Sequence, residues 1–581
     1  MNRNPTVLGI SALYHDSASC ILQDGIVSAA VQEERLSRRK HDPRFPTESV
    51  RACLEITGLS VDEIDVVAYY EQPERKRHRQ TQTLGTKVSI SSPELPGNLI
   101  RYCLGYDGDV LYFPHHLSHA ASSYFFSGFK ESAVLVVDGV GEWSTISYGV
   151  AKEKNIELFE SVSFPHSIGL LYSVVTGFLG FEVNGGEYKV MGLAPYGSKE
   201  AAELSWRLLE NSPGGGIRVN TNILDFTANK EEIDRQLTEY FGIPPRKSSE
   251  PLTNDHANIA KSIQHLTEEV LVSKARYLHS SVGSKNLCLA GGVALNCVAN
   301  MHIRQRGGFE NLFVQPAAGD AGGALGAAAL AYNRVSEDPR GYGQIKNVFW
   351  GPEVTNREAK RVLDIAAINY ASYETKQTNL IEFIVEKLAS GNVIALHRGR
   401  MEFGPRALGA RSILADPRGS GTRDYINQIV KKRESFRPFA PAVLVEYAQE
   451  YFDISGESPF MIEACAVAEK GALPAITHVD GTARVQTVSM QSNSFLARLL
   501  RKFYARTGCP VLLNTSFNLA GEPIVCSVQD SLRSFIKSEL DILVINDFVV
   551  DRKNVSAYSR NFVLAQSSRH RAYHWDVYSL L

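Results

Sequence analysis

Two stretches of this chain repeat one plan. Val7 to Ala12 is a short apolar run; Tyr14-His15-Asp16 follows, and then two strand-like runs, Ser17 to Gln23 and Ile26 to Glu33, flank Asp24-Gly25. Aspartate-glycine between such runs is a strong signal for a tight hairpin. From Ser132 the plan returns: an apolar run to Val137, an acidic glycine loop from Asp138 to Glu142, a strand Thr145 to Ala151, a turn Lys152 to Asn155 and a strand Ile156 to Val162. A duplicated strand, acidic turn and hairpin predicts an α/β domain built from two related halves.

At 581 residues the chain is too long for one core, since single cores stop growing at about 250 to 300 residues. A formal net charge of -2 and a pI near 6.7 supply no broad positive field. Nucleic acid and anionic membranes are therefore excluded as main partners. The cysteines at 20, 53, 103, 288, 297, 465, 509 and 526 stand apart with no CxxC pair, and read as reduced core residues. The opening MNRNPTVLGISALYHD holds too short an apolar run for a signal peptide. No apolar stretch approaches the ~20 residues of a membrane span. A soluble, cytoplasmic enzyme is expected.

Pro114 to Trp143 concentrates the chemistry. His115 and His119 stand four apart at the start of a helix pattern, which puts both imidazoles on one face, a spacing suited to chelating one metal. Asp138 follows an apolar strand and opens a glycine turn, and Asp320, in GDAGGALGAA, stands at a second glycine-rich junction of strand and helix. Two histidines with carboxylates on rigid elements leave coordination positions open for water or substrate. The structural alternative is a histidine that caps the helix and an aspartate that merely starts a turn.

Three segments read as nucleotide-facing. Asn286 to Ala290 is a buried strand that turns through Gly291-Gly292 into a helix that Asn296 can cap; glycine admits close backbone approach, and a helix N-terminus favours an anion. The turn recurs at Gly319 and Gly322. After a helical pattern from Ser167 to Gly180, GGEYKVMGLAPYG reads as a glycine-rich loop whose Lys189 reaches a phosphate, or else as a helix connection with incidental charges. The basic run Glu33 to Pro46 reads first as a solvated face, with an anion-facing loop as the alternative. Glu71 to Thr83 reads as a surface loop, residues 200 to 255 as a helical insertion and His256 to Ser280 as an amphipathic helix.

Arg334 to Glu353 is a polar connector, and a domain boundary is expected near residue 352. Beyond it come a helix, Leu380 to Ser390, a strand, Val393 to His397, and RGRMEFGPRALGARSILADPR, in which Arg398, Arg400, Arg406 and Arg411 crowd together. Lys431, Lys432, Arg433 and Arg437 follow, then Arg484. Glycines, prolines and aromatics interleave these cations, unlike a plain solvated helix. Such a cluster suits phosphate, which guanidinium binds bidentately. In VLLNTSFN, a strand running into a polar turn, Asn514 and Asn518 are placed to bind an amide-like or phosphate group.

Taken together, HDSA at 15–18, EERLSRRKHD at 33–42, HHLSHA at 115–120, DGVGEW at 138–143, EYKVMGLAPYG, GGVALN, GRMEFGPRALG at 399–409, RPFAP and NTSFN strongly resemble the NodU/CmcH family of O-carbamoyltransferases. The repeated half-domains are likewise similar to the actin, sugar kinase and heat-shock ATPase (ASKHA) superfamily. What the resemblance implies is an α/β chain in two parts: residues 1–352, a duplicated actin-like domain related to the tRNA threonylcarbamoyl-transfer protein TsaD, and residues 353–581, a YrdC-like α/β domain as in the hydrogenase maturation protein HypF. By that likeness the second part converts carbamoyl phosphate and ATP, with Mg2+, into carbamoyl-adenylate. The first transfers the carbamoyl group to a hydroxyl of a small-molecule acceptor alcohol, a secondary metabolite of toxin or antibiotic biosynthesis.

His115, His119, Asp138 and Asp320 match the family's metal ligands, for Fe2+ or another divalent transition metal. Lys189, Gly291, Gly292, Asn296, Gly319 and Gly322 are the expected nucleotide contacts. Arg406, Lys431, Arg437, Arg484, Asn514 and Asn518 are the expected carbamoyl phosphate and ATP contacts. His15, beside Asp16, is the candidate base for the acceptor hydroxyl. Two rival readings stay open: an ASKHA-type nucleotide switch, which leaves the arginine cluster idle, and a small-molecule kinase, which needs magnesium held by carboxylates and water rather than a histidine pair. A homodimer is one option for the oligomeric state.

Overall fold

The computed structural model describes residues 4–84, 92–337, 343–468 and 473–565. The chain forms two compact units, a mixed α/β fold throughout. Of the described residues, the first holds those up to Glu34 and from His41 to Ile345, and the second holds Arg35–Lys40 together with those from Lys346 to Ala565.

The first unit is built on two five-stranded sheets of one topology. In the first, β1 (Val7–Ser11) pairs antiparallel with β2 (Ala18–Gln23), β2 with β3 (Ile26–Gln32), and β1 runs parallel to β4 (Val66–Tyr69), which runs parallel to β5 (Val110–Tyr112). In the second, β6 (Glu131–Val137), β7 (Ser144–Lys152) and β8 (Asn155–Ser163) repeat that meander, and β9 (Asn286–Ala290) and β10 (Asn311–Val314) repeat the parallel pair. The order is third, second, first, fourth, fifth strand in both. Asp24 and Gly25 both have positive φ, 53° and 75°, the backbone of a hairpin turn whose twist matches its strands.

Between the sheets lie two helices, His115–Ser127 and Asp320–Val335, packed against each other. Their approach depends on GDAGGALGAA, because any Cβ on Gly326 would overlap the Ser118 carbonyl of the facing helix. The close approach also sets the N-terminal turns of the two helices side by side. A 29-residue helix, Asn254–Val282, covers the amphipathic stretch expected there.

Two sequence expectations are overturned in this unit. Residues 73–84 form a helix rather than a surface loop; Arg79, 1% exposed, is buried within it, and Lys76 pairs with Glu71 at 2.9 Å. Inward-facing charge hides helical periodicity from a hydrophobicity pattern. The glycine-rich segment after Gly180 also folds, as helix Glu187–Leu193. Glu187 starts that helix by accepting from the Asn184 and Gly186 amides at 2.8 and 3.2 Å, satisfying donors that a helix start leaves orphaned. The insertion at 200–255 carries the α-helix Lys230–Phe241, two single-turn 3-10 helices, Glu200–Glu203 and Trp206–Leu208, and a short two-stranded ribbon, Leu209–Asn211 with Ile217–Val219.

The second unit has one mixed eight-stranded sheet. In chain order its strands are β11 (Ala371–Ser372), β12 (Ile394–His397), β13 (Arg411–Ala415), β14 (Ala440–Leu444), β15 (Gln486–Val488), β16 (Val511–Ser516), β17 (Ile542–Ile545) and β18 (Phe548–Asp551). They lie in the order β11-β18-β17-β12-β13-β16-β14-β15. Helices Asn356–Ile365, Gln377–Ala389, Ser494–Thr507 and Val528–Lys537 supply side chains to one continuous core with this sheet. The basic run at Arg35–Lys40 is not a solvated face: Arg35, 3% exposed, donates to the Gly404 carbonyl at 2.8 Å, and Arg38 donates to the Pro523 and Ile524 carbonyls and pairs with Asp530.

All eight cysteines are free, seven of them buried and Cys103 half-buried. Among the described residues no helix is long and apolar enough to cross a membrane.

Candidate metal centre and anion-binding loop

Four side chains from three elements converge in the first unit. His115 and His119 come from the first turns of one helix, Asp138 from the end of β6 and Asp320 from the first position of the second helix. One ligand atom from each lies within 4.8 Å of the others, and all four residues are buried. His115 Nε2 is 3.0 Å from both Asp138 Oδ2 and His119 Nε2; His119 Nε2 is 3.6 Å from Asp138 Oδ2 and 3.6 Å from Asp320 Oδ1. Ligand atoms about 2.1 Å from one ion stand ~3.0 Å apart at right angles and ~3.4 Å apart in a tetrahedron, so this spacing fits a single cation. Two imidazoles and two carboxylates form a donor set suited to a divalent transition ion and lack the thiolates that select soft metals.

The surroundings hold these groups in place. The Gly292 amide donates to Asp138 Oδ1 at 2.9 Å, leaving Oδ2 toward the histidines, and the His115 amide donates to Glu142 Oε1 at 2.9 Å. Tyr70 donates its hydroxyl to Asp320 Oδ2 at 3.4 Å. Asp320 Oδ1 is buried with no hydrogen-bond partner among the described residues, although it faces both histidines. Such an orphaned acceptor is expensive unless a ligand meets it.

Charge follows the same geometry. Burial opposes a proton on His119, but the facing carboxylates of Asp138 and Asp320 outweigh it and lift the imidazole to about 9. Burial likewise opposes ionisation of Asp138 and Asp320; the histidines around them overcome it and hold both carboxyls low, Asp138 well below the usual range. The protein has thus gathered negative charge around a place where positive charge belongs.

His15 borders this centre. Its Nδ1 meets Asp16 Oδ2 at 3.0 Å, and its Nε2 lies 4.0 Å from Asp320 Oδ2. Asp16 also accepts from His41 Nδ1 at 2.7 Å, so two imidazoles share one carboxylate. Asp16 and His41 both have positive φ, 55° and 53°, a backbone state that ordinary residues hold only under tertiary constraint. His41 and Glu142 lie inside the motifs EERLSRRKHD and DGVGEW, and only the fold shows what each of them touches.

The nucleotide candidates divide by what they touch. Asn296 caps the helix Cys297–Arg306 as expected, accepting from the Ala299 amide at 3.1 Å, and its side-chain amide pairs reciprocally with that of Gln264 at 2.9 and 3.1 Å. Gly291 has φ 94°, and a Cβ there would meet the Val137 carbonyl. Gly319 caps the helix that begins at Asp320, and Gly322 donates to the Gly319 carbonyl at 3.0 Å. Lys189 lies in helix Glu187–Leu193, its ammonium 5.5 Å from the Phe181 ring centre.

In the second unit the arginine run separates into supports and a tip. Arg411, fully buried, donates to the carbonyls of Arg398, Gly399, Ala410 and Pro352. Arg400 donates to the Trp350 and Gly351 carbonyls, and Arg398 pairs with Asp547 at 2.9 Å. These three therefore brace the backbone instead of forming the phosphate cluster expected of all four. Arg406 is half-buried in the loop between β12 and β13.

Lys431 is buried, its ammonium donating to the carbonyls of Ser516 and Asn518 and to Asn518 Oδ1 at 2.7 to 2.8 Å. Burial, then the positive charges of Arg433 and Arg437, hold its pKa well below the usual lysine range. Like charges crowded beside a buried ammonium make its proton costly to keep. Arg484 ends a short strand, Thr482–Arg484, two residues before Gln486, which accepts from Asn514 at 2.8 Å. Asn514 also donates to the Ala407 carbonyl at 3.3 Å, next to Arg406.

Residues 6–91 and 98–329 match the family model for the carbamoyltransferase N-terminus, and residues 385–552 match that for the carbamoyltransferase C-terminus. This chain belongs to the carbamoyltransferase family. An uncharacterized protein of Synechocystis is 41% identical to this carbamoyltransferase over 94% of its length and 96% of the relative's. The nodulation protein NolNO of Sinorhizobium fredii is 38% identical over 93% of this chain and 80% of its own. The 3'-hydroxymethylcephem-O-carbamoyltransferase of Streptomyces clavuligerus is 38% identical over 45% of this chain and 48% of its own. HypF of T. kodakarensis aligns with 58% of the carbamoyltransferase at 13% identity and a TM-score of 0.32, too low to bear on its chemistry.

Proposed function

We propose that this carbamoyltransferase is ATP-dependent and works in two steps, one in each unit. In the second unit carbamoyl phosphate loses its phosphate to water, and the carbamate attacks the α-phosphate of ATP, giving carbamoyl-adenylate and pyrophosphate. In the first, an acceptor alcohol displaces AMP from the carbamoyl carbon, forming an O-carbamate. The observation that carries this reading is the family match to both units, each of which has its own polar centre. On this reading the first unit is the duplicated, actin-like TsaD-related domain and the second is the YrdC-like one.

Arg406, Arg437 and Arg484 neutralise the phosphates of carbamoyl phosphate and ATP, with Mg2+ accompanying the nucleotide; each charge-assisted bond is worth about 1.5 to 3 kcal/mol. Lys431 and Asn518 hold the turn at 516–518 that shapes the same site. In the first unit Gly291, Asn296 and Gly319 border the adenylate. His115, His119, Asp138 and Asp320 would hold Fe2+ or a related ion, which when bound supplies Lewis-acid charge beside the leaving phosphate. Asp16 keeps the His15 Nδ1 proton, and His15 Nε2 takes the proton of the acceptor hydroxyl.

The acceptor is a free alcohol of a small secondary metabolite. That the S. clavuligerus relative is named for a hydroxymethyl acceptor supports an alcohol, and the net charge of -2 disfavours tRNA. Incubation with ATP and carbamoyl phosphate should release AMP and pyrophosphate. Dependence on ATP alone, with a phosphorylated product, would favour a kinase and overturn the reading.

A further inference from the structure

We propose that Glu402 is the positioning residue for Arg406, setting the backbone of the loop on which that guanidinium meets the phosphate-bearing substrate; this rests on the role assigned to Arg406 above. Glu402 is 3% exposed. Its Oε1 accepts from the backbone amides of Leu408, Ala410 and Arg411 at 2.7, 2.8 and 3.3 Å. One carboxylate oxygen thus gathers three amide donors from within four residues of a segment that belongs to neither helix nor strand until Arg411.

The carbonyls of the same segment are held from the other side. Leu408 O accepts from Gln486 Nε2 at 3.0 Å and Asn493 Nδ2 at 3.2 Å, and Ala407 O accepts from Asn514 Nδ2 at 3.3 Å. Gly409 sits at φ 109°, and a Cβ there would lie 2.6 Å from Asn493 Nδ2. The peptide groups that follow Arg406 are therefore fixed by five side chains: Ser412 Oγ takes the Gly409 amide at 2.9 Å, and Glu402, the one carboxylate of the five, takes three amides.

A carboxylate suits this task and an amide does not. A neutral amide oxygen has two lone pairs for three donors, whereas an ionised oxygen attracts all three more strongly. Glu402 Oε2 is buried with no hydrogen-bond partner among the described residues, as is Arg411 Nε. Glutamine would put an N–H2 donor there with nothing to accept it. The loop would relax, and Arg406 with it.

The test uses the full-length protein and carbamoyl phosphate-dependent ATP–pyrophosphate exchange. Glu402→Gln should raise the KM for carbamoyl phosphate about 10- to 100-fold, the scale on which displacements near 1 Å act, with kcat changed less than about threefold. Glu402→Ala should raise it further. Carbamoyl transfer from supplied carbamoyl-adenylate should be unchanged. Measured as equilibrium binding of carbamoyl phosphate, which needs no turnover, Glu402→Gln should have no further effect in an Arg406→Ala background, because the residue it positions is gone.

An unchanged KM in folded Glu402→Gln, or a full extra loss in the Arg406→Ala background, would overturn the inference. So would equal loss of both half-reactions, the mark of general unfolding. If Glu402→Gln does not fold, Gln486→Leu, which removes one of the two donors to the Leu408 carbonyl, carries the same expectations. A wild type without any exchange would bring down the reading of Arg406 first, and this inference with it.

Discussion

His115 Nε2 and His119 Nε2 stand 3.0 Å apart, both rings inside the protein and each facing Asp320 Oδ1. Two ring nitrogens aimed at one point need a proton or a cation between them, and two carboxylates beside them favour a cation.

His119→Ala should therefore remove one metal equivalent per chain. Elemental analysis of purified wild type and variant checks it; equal metal content in the two would refute the assignment.

The two units should fail separately. Arg406→Ala should stop formation of carbamoyl-adenylate from carbamoyl phosphate and ATP yet still transfer from supplied carbamoyl-adenylate, while His119→Ala should form the adenylate and leave the acceptor unmodified. Rapid-quench assays of each half-reaction read this directly. Folded, metal-loaded Arg406→Ala that cannot use supplied adenylate would place both steps at one site.

Gly326 sets the distance between the helices that carry His115, His119 and Asp320. Gly326→Ala drives a methyl into the Ser118 carbonyl, so a loss of about 1 to 3 kcal/mol in stability is expected, with weaker metal binding. Denaturant melts and metal titration measure the two effects, and a variant as stable and as tightly metallated as wild type would show the packing to be looser than described.

Glu33 predicts the pH dependence of stability. Burial lifts its carboxyl from 4.5 to about 7, against the pull of the Ser49 and Glu48 amides that it caps at 2.8 and 3.3 Å. Because the folded pKa is the higher one, its contribution is complete below pH 4.5 and is lost as pH rises through 7. Glu33→Gln keeps an acceptor and removes the buried charge. Relative to the variant, wild type should lose up to ~3 kcal/mol between pH 5 and pH 8, and parallel stability curves for the two would count against it.

The local elements were legible because their signals are local. The two meanders, the Asp24-Gly25 turn, the Asn296 cap and the strand 286–290 follow from alternation, turn chemistry and capping within a few residues. Even the metal candidates carried a short-range mark, a spacing of four between the histidines and glycines within two residues of each aspartate. What the sequence could not determine was which polar groups face inward. Arg79 is read as solvated until its helix is seen to bury it, and Arg398, Arg400 and Arg411 look identical to Arg406 until the carbonyls they bind are placed. Asp16 with His41, Glu402 with the 408–411 amides and Arg38 with Asp530 join residues 25, 9 or fewer, and 492 positions apart. Such pairings depend on where tertiary packing leaves a donor without water, and that is a property of the folded chain rather than of any window of it.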